Sequence, residues 1–271
     1  MIQALGEMLT YDFMRRALWG VLLMMPLFSL LGTMVVNNGM SFFSDALGHS
    51  ALTGAAVGVL FGLADPQPVM LIFAVVFALL MNGIRHSRLS STDTVIGVFS
   101  SCGVALGLAL LSRNSGFSGY QALLIGDVLS ITNGQLWVLA GTLVVVAVVW
   151  LFCFNGFFAV SLNPSLARSR GLPTVWLDNL FVVVIAVVVM LAVRWVGLLL
   201  INAMLILPAA AARNVARGLR AYLLLTLIFS LFSGVLGLTL SYLNAVATGP
   251  MIVLVSAAVF FGTFFMARKE K

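Results

Sequence analysis

Long apolar runs separated by short polar breaks recur along the chain, covering 17–36, 44–64, 69–84, 94–111, 136–154, 176–193, 196–212, 221–240 and 250–267. Each approaches or exceeds the roughly 20 residues that cross a bilayer as a helix. The breaks carry turn signals, such as Asn37-Asn38-Gly39 and Asp65-Pro66-Gln67-Pro68. A further run, 120–131, is too short to span and predicts a re-entrant or interfacial helix. The expected fold is all-α: a polytopic membrane protein of about nine transmembrane helices plus that short helix, in one transmembrane domain over 1–271.

Composition agrees with the pattern. The chain is 62% hydrophobic and 8% charged, whereas soluble globular domains carry about a quarter charged residues. A net charge of +6 would suit nucleic acid, but the basic residues lie between the apolar runs, where they orient the chain and meet the anionic headgroups of the lipid bilayer. No nucleic-acid partner is expected. With nine crossings and the N-terminus outside, Arg85, Arg88, Arg168, Arg170, Arg213, Arg217, Arg220, Arg268, Lys269 and Lys271 fall inside. Only Arg15, Arg16, Arg113 and Arg194 fall outside. That asymmetry predicts N-out and C-in in the cytoplasmic membrane. Cys102 and Cys153 sit in apolar runs without C-x-x-C spacing and read as core thiols. The first run, preceded by Glu7, Asp12, Arg15 and Arg16, is too long for the apolar part of a signal peptide.

Candidate chemistry begins with Asp45 and His49, a carboxylate and an imidazole at the head of the second run. Spaced i, i+4, they share one helix face and could reach one small cation. One reading is a satisfied polar pair, or a helix start capped by Ser44 or Asp45. The other is a ligand pair for a divalent transition metal, because this donor set suits zinc or manganese. Two ligands fall short of a closed four-ligand site, and incomplete coordination is what transient passage requires. Gly54, Gly58 and Gly62 recur every four residues and predict a close helix-packing ridge. Gly58 lies about 180° from His49 on an ideal helix, so the pair faces away from the ridge.

Other polar residues have plainer explanations. Asp178, Asp127 and Asp93 read as helix-start, interfacial or capping residues, and His86 as a solvated loop residue. Arg194 reads as snorkelling to an interface or serving a gate. The segment 161–174 is polar, with Pro164 suited to a helix start and Gly171 to a helix end; it is either a short surface helix that docks a cytoplasmic partner or a connecting loop. No G-x-x-x-x-G-K-[ST] phosphate loop occurs, and the only lysines are Lys269 and Lys271. The chain is therefore not expected to be an ATPase, and any ATP-driven transport needs a second subunit.

Five stretches carry a family resemblance: residues 40–54 with Asp45 and His49, Thr92-Asp93-Thr94-Val95-Ile96-Gly97, the loop Ala167-Arg168-Ser169-Arg170-Gly171-Leu172-Pro173, residues 196–213 with Asn202 and Pro208, and residues 247–255. Together they resemble the integral-membrane permeases of ABC transporters for zinc, manganese or iron. The resemblance implies a homodimer or paired permease with its path between subunits, two cytoplasmic ABC ATPases and an extracytoplasmic metal-binding protein. It implies that Asp45 and His49 meet the transported metal ion, with no permanently bound cofactor. It also implies that Asn163, Pro164, Leu166, Ala167, Arg168 and Gly171 form the ATPase-coupling helix, and it makes Asn202 and Pro208 candidates for gate or path. This chain has Gly48 where many relatives have Ser, and Thr53 where many have Pro. Competing classes are an ABC permease for a chelated or organic substrate such as a siderophore, and an ion-gradient secondary transporter. The latter would show inverted repeats, and no clear repeat is present.

Overall fold

The computed structural model describes residues 10–63, 65–87, 91–113 and 126–269. Among them are ten α-helices, one 3-10 turn and no strand. The helices are α1 (Asp12–Asn37), α2 (Phe43–Leu60), α3 (Gln67–His86), α4 (Thr92–Arg113), α5 (Asn133–Leu162), α6 (Pro164–Ser169), α7 (Thr174–Val196), α8 (Leu198–Val215), α9 (Leu219–Asn244) and α10 (Thr248–Lys269). The all-α reading holds.

Local chemistry sets the boundaries. Gly39, at φ +63°, takes the left-handed turn that ends α1. Pro68 sits in the first turn of α3, where its missing N–H costs nothing. Thr132 and Gln135 form a reciprocal capping box at the start of α5.

Contacts at the helix ends show that the nine longer helices alternate in direction. At one end, Arg194 of α7 lies 3.7 Å from Asp65 and donates to Gln67 of α3. Trp195 donates to Gln135 of α5, and the rings of Tyr11 and Tyr242 approach to 6.4 Å. At the other end Asn37 donates to Ser161 at 2.5 Å, Arg213 to the Val36 carbonyl, and Tyr222 to the Thr33 carbonyl. These are called the Arg194 end and the Arg85 end below.

Seven helices are long and apolar enough to cross a membrane, which establishes a multi-span membrane protein but not the count of nine. The two remaining runs became α2 and α8, each of 18 residues. Asp45, His49, three glycines and two serines dilute the hydropathy of α2, while 200–215 is a shorter apolar helix. Of the short helix expected over 120–131, residues 120–125 lie outside the described residues; the rest forms only the 3-10 turn Val128–Ser130.

α2 packs between α3 and α4 and also touches α7 and α8. A Cβ on Gly54 would come within 2.7 Å of the Met70 Cα, and one on Gly58 within 2.8 Å of the Pro66 Cβ. Gly107 of α4 presses equally closely on Leu52 and Thr53, and Thr53 donates to the Gly103 carbonyl at 2.5 Å. Gly62 departs from the expected ridge. It lies beyond the end of α2 at φ +69°, with nothing within 4 Å of a Cβ, because the helix unwinds before a third glycine can pack.

Gly54→Val is expected to cost about 1–3 kcal/mol by overpacking against backbone, seen as a lower melting temperature of the detergent-solubilised protein. Gly97→Ala, in an open helical position, should leave the melting temperature unchanged or raise it. Equal melting temperatures for both variants would contradict the packing described.

Candidate functional site

Asp45 and His49 occupy the first two turns of α2. The N-cap is Phe42, with no side-chain cap bond, so neither Ser44 nor Asp45 serves the capping role. The His49 Nε2 lies 3.4 Å from the Asp45 Oδ2, with side-chain exposures of 25% and 36%. Among the described residues neither side chain has another polar partner. Backbone packing of Gly54 and Gly58 on α3 turns the pair toward the opposite flank, where the side chains remain half-exposed. That flank also carries the exposed apolar residues Phe42 and Leu60.

Asn202 joins this site from α8. The Ser44 Oγ donates to its Oδ1 at 2.5 Å, so the residue beside Asp45 is tied to the second turn of another helix. α2 leaves the Arg85 end and α8 the Arg194 end. Because α8 sets out just past Arg194 and Trp195, a contact between its second turn and Ser44 places the start of α2 inside the bundle rather than at the Arg85 rim. Pro208, three turns into α8, lacks an N–H to donate to the Met204 carbonyl, which interrupts the ladder within a buried helix.

A carboxylate and an imidazole on one helix face offer two hard-to-borderline donors for a divalent ion. Among the described residues no group of three or more His, Cys, Asp or Glu side chains forms a metal cluster. Asp45 and His49 therefore stand, among the described residues, as a pair and not as part of a larger set.

α6 forms as a helix of six residues. Asn163 caps it by accepting from the Leu166 N–H at 3.0 Å, Pro164 fills its first position, and Gly171 leaves it at φ +78°. Ala167 is buried, while Leu166 is 51% exposed and Arg168 projects from the same turn. α5, at 30 residues, rises about 45 Å at 1.5 Å per residue, well beyond a hydrocarbon core of roughly 30 Å. An upright helix of that length must extend past the apolar layer at one end or both, and α6 follows directly on its last turn.

The main site feature missed from sequence lies at the Arg85 end. Asp178 is buried, and its carboxylate accepts from the Arg85 guanidinium and lies 3.1 Å from the His86 Nε2. His86 is thus paired rather than simply solvated, and Asp178 does more than start a helix. The i, i+1 pair Arg85-His86 and the lone Asp178 stand 93 positions apart, a separation that leaves no local pattern. Next to them, buried Asn82 donates to Asn179 at 2.8 Å. The remaining readings are simpler. Ser91 accepts from the Thr94 N–H and caps α4 in place of Asp93, and Asp127 caps the 3-10 turn. Arg194 reaches out to exposed partners, as a snorkelling residue does.

Asn202→Leu should leave the Ser44 hydroxyl unmatched and cost about 1–3 kcal/mol. Adding Ser44→Ala should recover part of that loss. Thermal unfolding of the four proteins of this cycle measures the coupling, and strictly additive losses would show that the hydrogen bond contributes nothing.

The chain as a whole is similar to known proteins. The manganese import system permease protein ScaB of Streptococcus gordonii is 30% identical over 265 residues, covering 96% of this chain and 94% of that one. The high-affinity zinc uptake system membrane protein ZnuB of Haemophilus influenzae is 29% identical over 237 residues, covering 87% and 90%. The solved PsaBC of Streptococcus pneumoniae in complex with Fab superposes with a TM-score of 0.85 at 28% identity, covering 98% of this chain and 96% of that one. Residues 10–267 match the ABC 3 transport family, and with an all-helical, multi-span fold to go with that match, the chain belongs to this family.

Proposed function

We propose that this chain is the permease subunit of an ATP-binding-cassette importer that moves a divalent transition metal ion, manganese or zinc, across the cytoplasmic membrane. The observation that carries the reading is the Asp45–His49 pair, turned away from its own packing ridge and half-exposed at a helix start inside the bundle. Relatives matched over nearly the whole chain are named for manganese and zinc, which fits this donor set.

The metal is cargo, so its site must bind and release. Two donors from one chain give a weak hold. A second copy bringing its own Asp–His pair to the same place would offer four, the usual number for zinc. That arithmetic, together with apolar Phe42 and Leu60 on the same flank, supports a homodimer with the ion path along the shared face. Asp45 and His49 then replace part of the ion's hydration shell while it waits, and Asn202 holds Ser44 and the start of α2 in register.

Energy comes from elsewhere. The sequence has no phosphate-binding loop, so ATP hydrolysis belongs to cytoplasmic ABC ATPase subunits. α6 is the docking element, with Asn163 and Pro164 fixing its start, Ala167 anchoring it, Leu166 and Arg168 facing the partner, and Gly171 turning the chain back. The Arg85 end, where α6 and most arginines gather, is cytoplasmic. α2 and α8 complete nine crossings, which puts the N-terminus outside and the C-terminus inside. An extracytoplasmic metal-binding protein delivers the ion at the Arg194 end.

Asp45→Ala combined with His49→Ala should reduce manganese and zinc uptake by cells at least tenfold at unchanged expression; normal uptake by the double variant would sink the proposal. Ala167→Leu and Gly171→Val should weaken co-purification of the ATPase subunit without lowering membrane insertion. Undiminished assembly and undiminished coupling of hydrolysis to uptake would exclude the docking role of α6.

A further inference from the structure

Among the described residues, a second set of ionisable side chains gathers at Arg85, His86 and Asp178, with Arg168 nearby. Arg85 does two things at once. One side of its guanidinium donates to the Asp178 carboxylate, and the other reaches the sulfur of Met40. Asp178 lies in the second turn of α7, and Met40 lies five residues before Asp45. One side chain from α3 therefore joins the start of α7 to the turn from which α2 emerges.

Both ends of this link are tied further. On one side, the Leu172 N–H donates to the Ala167 carbonyl, Thr174 to Leu172, and Leu177 to Pro173. These bonds join α6 firmly to the first turn of α7. On the other side, fully buried Met40 donates to the Val35 carbonyl and accepts from the Phe43 N–H. The connected path runs from α6 through α7, Asp178, Arg85 and Met40 to α2 and Asp45.

Stability alone explains such a pair poorly. Removing two charges from water is costly, and apolar side chains of the same volume usually hold as well or better. A charge pair instead offers two discrete arrangements, joined or parted, which a packed apolar contact does not. Space to part exists here. A cleft of about 530 Å³ is lined by Arg85, His86, Arg168 and Asp178, with Asn37 and Ser161 at its side, so both charges can take up water on separation.

We propose that the Arg85–Asp178 pair is an inner latch that transmits movement of α6 to the metal-holding turn. Joined, it fixes Met40 and with it the start of α2. Parted, it frees that turn, so Asp45 can shift and release the ion. Arg85 is a positioning residue that acts on the site through Met40. This proposal rests on the reading of α6 as the docking helix and of Asp45 and His49 as the ion's foothold.

The test uses the complete complex with its ATPase in proteoliposomes, reading Mn²⁺ and Zn²⁺ uptake and ATP hydrolysis in the same vesicles. Metal retained by the detergent-solubilised complex is read alongside. Arg85→Lys keeps a charge facing Asp178 but loses the two-sided fork; Asp178→Asn removes the charge while keeping the shape. Both should retain ATPase co-purification within twofold, while the solubilised complex holds less metal and metal moved per ATP falls at least tenfold. The reversed pair, Arg85→Asp with Asp178→Arg, should recover at least a third of that ratio. Unchanged metal per ATP in both single variants would overturn the latch, as would losses wholly matched by loss of ATPase assembly. Metal retention separates the two levels: full retention by Asp45→Ala with His49→Ala overturns the foothold, whereas retention kept by Arg85→Lys with an unchanged ratio overturns only the latch.

Discussion

Lipid tails are as apolar as leucine, so an oily helix gains little from the hydrophobic effect by leaving lipid for another helix, and close van der Waals contact must hold the bundle instead. Along α2 this constraint acts through glycine. Gly54 and Gly58 bring the backbone of α2 against the start of α3, and Gly103 and Gly107 bring α4 against its neighbouring face. Once both faces are committed to backbone contact, the rotation of α2 about its axis is set. Asp45 and His49 are then held on the remaining flank. The site is polar because of its side chains, but its direction is decided by glycines a few turns away.

The sequence reveals those parts of the architecture that depend on periodicity and local chemistry. Apolar runs mark the long helices because a bilayer imposes one length on all of them, and Asn163, Pro164 and Gly171 mark α6 because capping and termination are local events. The opposite placement of Gly58 and His49 follows from 100° per residue alone. What sequence misses depends on tertiary placement. Gly62 continues the four-residue spacing but lies past the point where α2 unwinds. Asp178 looks like any helix-start acid until α3 delivers Arg85 and His86 to it. Asn202 is one polar residue in an apolar helix, and only the fold shows that it faces Ser44.

The two ends of the bundle are built differently. At the Arg194 end the ionic contact between α7 and Asp65, in the turn before α3, is long and exposed, of a kind that contributes little to stability. At the Arg85 end the ionic contact centres on buried Asp178 and is shared with Arg85 and the more exposed His86, beside a part-buried Asn82–Asn179 bond. Polar groups enclosed among apolar helices must stay matched, because an unmatched one is costly. Parting the contact at the Arg85 end therefore relies on the adjoining cleft to hydrate the freed charges, while the contact at the Arg194 end is already exposed.

The meeting of the starting turns of α2 and α8 also bears on voltage. Where a helix such as α2 begins inside the bundle, its polar first turn shortens the purely apolar stretch across the bundle, so the low-dielectric barrier there is thinner than the membrane itself. The membrane potential then falls mostly across that short barrier. It is worth about 2.3 kcal/mol per elementary charge per 100 mV, and twice that for a doubly charged ion. If the Arg85 end is the inner side, as proposed, an inside-negative potential adds an electrical pull on such an ion across that barrier, on top of whatever the side chains supply.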